Sequence, residues 1–224
     1  MNEIAKNIEE IKNHITQQAF AAKRSAEEIK LVAVSKKQPI ERVQAALDAG
    51  HRVFGENRVQ EAQERWGDLR KKYDDLELHL IGPLQSNKTA DAVALFDWIE
   101  TVDREKIAKK LAAEMLDQGR DLPCLIQVNI GGEAQKSGIL PAHVKEFFHF
   151  CRYSCGLDIR GLMCIPPIDE PAGLHFALMK KLAGEVELSE LSMGMSADYE
   201  KAIPLGATIL RVGSAIFGER PSEN

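Results

Sequence analysis

Eight short apolar runs, separated by longer amphipathic stretches, predict an α/β protein: a (β/α)8 TIM barrel preceded by an extra N-terminal helix. Three observations carry this reading. Strand-type and helix-type periodicities alternate along the chain, the pattern of repeated βαβ units and a parallel sheet. Eight strands in about two hundred residues suit a closed barrel better than an open doubly wound sheet. No Gly-, Ser- or Pro-rich linker divides the 224 residues, so residues 1–224 read as one domain.

A helical stretch over roughly residues 2–24 opens the chain and is expected to pack against the barrel. The first four strand runs are IKLVAVSK (29–36), HRVFGEN (51–57), LELHLIG (76–82) and DWIETVD (97–103). PCLIQVNI (123–130), DIRGLMCIP (158–166), ELSMGMS (190–196) and TILRVGS (208–214) follow. WIETVD is the weakest of them, which keeps a six- or seven-stranded open sheet as the alternative. Among the helices, PIERVQAALDAG places Val43, Ala46 and Leu47 on one face and ends at Gly50. DREKIAKKLAAEMLDQG carries an Ile107, Leu111 and Met115 stripe, with Asp103 as its expected N-cap and Gly119 as its stop. PAHVKEFFHF opens a further helix with Pro141 near its first turn.

Composition excludes several function classes. The formal net charge of −5 argues against a nucleic-acid binder, which needs a basic face to neutralise phosphates. Aromatic residues make up only 6%, which also weakens a base-stacking reading. MNEIAKNIEE has no apolar core of a signal peptide, and no run approaches the about 18 apolar residues of a membrane span. Four cysteines in a chain of this length do not make a disulfide framework. Cys124 and Cys164 sit in apolar runs and read as buried small hydrophobes. Cys151 and Cys155, near His149, lack the further ligands that complete a metal shell. The expected protein is reduced, cytoplasmic and free of nucleic-acid or membrane partners.

In a barrel of this kind chemistry stands at the C-terminal ends of the strands. The last two ends are rich in small residues: Gly213 and Ser214, with Ser192 and Ser196, form a candidate anion cradle. Ordinary turn chemistry explains the same residues equally well. Lys36 is the more pointed residue. With a period of two, Val32, Val34 and Lys36 share one face of the first strand, and branched residues mark that face as the barrel interior. A lysine at the barrel mouth is partly desolvated, its pKa falls, and its neutral amine can form a Schiff base. Lys37 then faces outward. The plainer alternative is that both lysines simply end a strand.

LVAVSKKQP, GENRVQE, LHLIGPLQSNK, VNIGGEAQKSG, GLMCIPP and LSMGMSADYEKAIPLGATILRVGSAIFGER occur in this order from about residue 5 to Arg220. Together they resemble the pyridoxal phosphate homeostasis proteins, single-domain relatives of the alanine racemase barrel, also called fold type III. Arg58 departs from the family's common GENY and falls at the start of the next helix. The resemblance implies that Lys36 holds pyridoxal 5′-phosphate as a Schiff base. It implies that Gly213 and Ser214 bind the cofactor phosphate, with Ser192 and Ser196 contributing from the preceding strand end. Arg211 matches the arginine facing the pyridine nitrogen, and Asn57 and His79 stand where the family lines the ring. For His79 a satisfied core histidine remains an equal reading. Lys136 matches a cationic residue beside the cofactor in the racemases, or else belongs to a surface turn at QKSG.

Two function classes follow from the resemblance, and a third from the lysine alone. The favoured one is a cofactor-binding protein that stores, buffers or delivers pyridoxal phosphate, with indirect effects on amino-acid metabolism. The second is a compact racemase, and the third a class I aldolase using Lys36 without a cofactor. Two-base racemisation needs an acid/base group on each face of the substrate carbanion. Racemases take the second from a tyrosine of an additional β domain, for which a chain ending at Asn224 leaves no room. Tyr73, Tyr153 and Tyr199 match no such position. Arg211, always protonated, leaves the pyridine nitrogen unprotonated and the ring a poorer electron sink. The expectation is therefore a non-catalytic monomer whose partners are the cofactor, amino acids and, transiently, apoenzymes.

Overall fold

The computed structural model describes residues 2–219. Met1 and residues 220–224 lie outside the described residues, and with them the two ends of the stretch read as one domain and the Arg220 end of the last motif. The chain runs α1 (Glu3–Ala21), β1 (Lys30–Val34), α2 (Ile40–Asp48), β2 (Val53–Glu56), α3 (Val59–Trp66) and β3 (Glu77–Leu80). It continues with α4 (Thr89–Leu95), β4 (Trp98–Val102), α5 (Glu105–Gln118), β5 (Cys124–Val128) and α6 (Val144–His149). The last elements are β6 (Ile159–Cys164), α7 (Ala172–Glu185), β7 (Glu190–Met195), α8 (Tyr199–Ala202), β8 (Ile209–Val212) and α9 (Ser214–Phe217).

The strands form a closed parallel barrel in chain order. Pairing of β1 with β8, from Lys30 opposite Ile209 to Ala33 opposite Val212, closes it. The open-sheet alternative is thereby set aside, and β4 is the reason it looked attractive. All five residues of Trp98–Val102 are buried, including Glu100 and Thr101. A strand covered on both faces need not alternate, and Glu100 finds its partners, His79 and Ser192, inside the barrel.

Side-chain parity divides the core in two. Val32, Trp98, Leu125, Met163 and Ile209 form the inner cluster, with Val53 and Ile165 packed on it. Leu31, Ala33, Phe54, Leu78 and Leu80 belong instead to the larger layer between the sheet and the helices. The inward parity expected for Val32 therefore holds. The first helix buries Ile4, Ile8, Ile11, Ile15 and Ala19 on one face. Full burial of each isoleucine contributes about 1.5–3 kcal/mol, so this stripe alone accounts for the helix docking onto the barrel. Asn2 caps it by accepting from the Ile4 amide, and the helix stops three residues short of the expected end, where Lys23 takes a positive φ of 57°.

Gly119 ends α5 in the left-handed conformation at φ 62°, as its sequence position suggests. The expected N-cap is corrected: Arg104, not Asp103, occupies that position, without a side-chain cap. Asp103 instead accepts from Arg104 Nη1 at 2.5 Å, because the chain stays extended past β4 before the helix can begin. Pro141 opens a short 3-10 turn, Pro141–His143, that leads into α6.

Candidate functional site

At the C-terminal end of the barrel lies a cavity of about 600 Å³. Its walls include Val34, Ile81, Ile165 and Met195, and its polar lining includes Lys36, Asn57, Ser196, Arg211, Gly213 and Ser214. Six of the eight expected site residues thus meet in one space, although they come from β1, β2, β7 and β8 or the loops beyond them. Lys37 lines a separate surface groove with Ile40, Gln44 and Arg58, so adjacent lysines serve opposite sides of the sheet. Arg58, the departure from the family motif, stands at that groove and pairs with Glu61 at 3.3 Å.

The turn after β1 is held from beneath. Lys37 adopts a positive φ of 56°, a conformation that costs an ordinary side chain about 1–2 kcal/mol. Arg65 Nη1 donates to Ser35 O at 2.7 Å and Nη2 to Gln38 O at 2.8 Å, bracketing the turn that carries Lys36. The fully buried Glu56 Oε1 accepts from Arg65 Nη1, Ser35 Oγ and Trp66 Nε1 at 2.6, 2.7 and 3.0 Å. Glu56 and Arg65 were given no role by the sequence. Glu56 adjoins Asn57 in GEN, yet no local pattern indicates that its carboxylate points back under the preceding strand end.

Main-chain amides and a hydroxyl meet at the start of α9. Ser196 Oγ accepts from the Gly213 amide at 3.2 Å and the Ala215 amide at 3.3 Å, so main-chain donors and a hydroxyl converge. A Cβ on Gly213 would stand 3.4 Å from both Val34 Cβ and Val34 O, in contact with the end of β1. Asn57 Oδ1 is a buried acceptor without a hydrogen-bond partner, beside the cavity that Asn57 lines. Gly82 packs against the Asn57 backbone so closely that a Cβ would come within 2.3 Å of Asn57 O.

His79 and Ser192 do not reach the cavity. Both are fully buried in the layer beneath it. The expectation that His79 lines the ring and that Ser192 joins the phosphate donors does not match these positions: both point into the barrel interior. His79 stacks on Trp98 with 5.4 Å between ring centroids, and its two ring nitrogens lie 2.5 Å from Glu100 Oε1 and 2.7 Å from Glu77 Oε1. Burial opposes charge on His79, but the hydrogen bonds to Glu100 and Glu77 outweigh it and raise the pKa. Ser192 Oγ donates to Glu100 Oε2 at 2.5 Å and accepts from Arg211 Nη1 at 2.5 Å. Arg211 Nη2 donates to Cys164 O at 2.7 Å. Sequence reasoning missed Glu100. Its one signal is a carboxylate in the middle of a buried strand.

Lys136 lines a smaller side cavity of about 190 Å³ that shares Asn57, Ile81 and Ile165 with the main one. Its ammonium pairs with Glu133 and donates to Pro166 O at 3.2 Å. The lysine is on a loop that borders the main cavity. Tyr199 is buried at α8 with its hydroxyl 3.3 Å from His14 Nδ1, Tyr73 receives a hydrogen bond from Gln44, and Tyr153 is exposed. None of the three is a lining residue of the main cavity.

The sequence matches the family described as alanine racemase, N-terminal domain, over residues 1–221. The "Pyridoxal phosphate homeostasis protein" of Vibrio alginolyticus is 41% identical, covering 98% of this chain and 99% of its own length. The protein of that name in Escherichia coli K12 is 39% identical, with 98% of each chain covered. Among solved structures, PipY of Synechococcus elongatus PCC7942 with PLP bound superposes with a TM-score of 0.82 at 34% identity, covering 96% of this chain and all of that one. An alanine racemase of Clostridium difficile 630, 16% identical with a TM-score of 0.73, shares the fold over 58% of its length. With a matching family over nearly its whole length and relatives of about 40% identity end to end, the chain belongs to the pyridoxal phosphate homeostasis protein family.

Proposed function

We propose that the 600 Å³ cavity binds pyridoxal 5′-phosphate and that the protein serves the homeostasis of this cofactor, by storage, buffering or delivery. The observation that carries the reading is the meeting of an amine, a cation and an anion corner in one space: Lys36, Arg211, and Ser196 with Gly213 and Ser214. Lys36 would hold the cofactor through its amine, which can form a C=N bond with an aldehyde and release water. Ser196, Gly213 and Ser214 would hold the phosphate at the start of α9 through main-chain and hydroxyl donors. Arg211 would donate to the ring nitrogen, and Asn57 would line the ring. Bound in this way, the cofactor supplies an electrophilic carbonyl equivalent and an electron-withdrawing ring.

The non-catalytic part of the reading rests on the surroundings of Lys36. Two-base racemisation needs an acid/base group across the substrate from the lysine, and no tyrosine of this chain lines the cavity. The chain is taken as one domain, because β1 and β8, from its two ends, close a single barrel. In this proposal it acts as a cytoplasmic monomer that meets amino acids at the cavity and apoenzymes transiently.

Cofactor-loaded protein is expected to show a visible absorbance band, and borohydride to fix a pyridoxyl group on the peptide containing Lys36. Lys36→Ala removes the band while the fold persists. A pyridoxyl group mainly on Lys37 or Lys136 overturns the assignment. Formation of D-alanine from L-alanine at about 1 s⁻¹ or faster, lost in Lys36→Ala, makes the protein a racemase.

A further inference from the structure

The barrel interior holds an alternation of charge that runs from its N-terminal end to the cavity: Lys30, Glu77, His79, Glu100 and Arg211. Lys30 pairs with Glu77 and lies 4.6 Å over the Trp98 ring. His79 stands between the carboxylates of Glu77 and Glu100. Two ring nitrogens that each face a carboxylate oxygen require two N–H donors, so the ring is an imidazolium. Burial opposes ionisation of Glu100, but the His79 hydrogen bond and the His79 and Arg211 charges hold its pKa down. Each buried charge thus has a neighbour of opposite sign, the condition under which charges persist away from water.

Hydrogen-bond direction along the upper part is fixed by proton count. Ser192 has one hydroxyl proton and stands 2.5 Å from both Glu100 Oε2 and Arg211 Nη1. The guanidinium can only donate, so the serine proton goes to Glu100 and a lone pair faces Arg211. The Glu100 carboxylate also lies 4.0 Å from Arg211 Nη1. A second anchor, Cys164 O, holds the other terminal nitrogen.

We propose that Glu100 is the positioning residue for Arg211: acting through Ser192, it orients the guanidinium that faces the ligand in the cavity. The inference rests on the reading of that cavity as the pyridoxal phosphate site, with Arg211 on the ring nitrogen. Glutamine at position 100 keeps the volume but can donate an N–H to Ser192. The serine proton then turns toward Arg211, where donor opposes donor and the guanidinium loses its hold.

The test compares binding of pyridoxal 5′-phosphate with binding of its analogue carrying C–H in place of the ring nitrogen. Wild type is expected to prefer the cofactor. In Glu100→Gln and in Ser192→Ala that preference falls by about tenfold, the worth of one well-placed charged hydrogen bond. A merely structural role weakens both ligands alike and leaves the ratio intact, and an unchanged ratio in either folded variant overturns the proposal. Should Glu100→Gln fail to fold, Ser192→Ala decides by the same ratio, since it leaves both charges in place. A wild type that binds both ligands equally also overturns it, whereas a wild type that binds neither defeats the cavity reading beneath it.

Discussion

Arg65 on α3 and the fully buried Glu56 at the end of β2 form an ion pair, 2.6 Å from Nη1 to Oε1, directly beneath the turn that presents Lys36. The same guanidinium accounts for the carbonyls of Ser35 and Gln38, so one side chain neutralises a buried carboxylate and fixes a strained loop. Removing one partner of such a pair leaves a charge without compensation. Arg65→Met should destabilise the protein by about 3–5 kcal/mol, and should weaken cofactor retention in protein that remains folded. Adding Glu56→Gln should recover part of the stability, because the orphaned charge is gone. Urea unfolding of the two single variants and the double variant checks this; an Arg65→Met protein as stable as wild type contradicts it.

Gly213→Asp tests the anion corner. It brings bulk to a position where a Cβ already touches Val34, and negative charge to the start of α9. Affinity for pyridoxal 5′-phosphate should fall by about 2 kcal/mol or more, roughly 30-fold. Affinity for pyridoxal, which lacks the phosphate, should change far less. Titration with both ligands separates the outcomes, and an equal loss for both would put the phosphate elsewhere in the cavity.

His51 should make the protein acid-sensitive. Burial lowers its pKa to about 4, against a backbone hydrogen bond to Val53 that works the other way. Between about 6.5 and 4 the unfolded chain therefore takes up a proton that the folded chain refuses, and stability falls as pH falls. The full shift amounts to roughly 3 kcal/mol. The Glu77 carboxyl, whose pKa is held down to about 2 although burial opposes it, contributes stability that is lost only at lower pH. Unfolding free energies between pH 7 and 5 should thus decline more steeply for wild type than for His51→Gln. Parallel slopes would contradict the assignment.

The sequence by itself determined the order of elements and the face of β1 that holds Val32, Val34 and Lys36. Both are periodic properties, set by the pitch of a strand or helix and readable within ten residues. Gly119 was legible for a related reason, since a left-handed turn leaves its mark in a single residue type. Only the tertiary structure decided what lies beneath the cavity. Glu100 and Ser192 are 92 positions apart and meet because the barrel closes. Position 100 viewed locally only weakens a strand, and His79 and Ser192 viewed locally suggest ligands of the cavity itself. Their roles depend on partners brought by other strands: a buried charge persists only where its counter-charge and hydrogen bonds are supplied, and no local spacing records which distant residue supplies them.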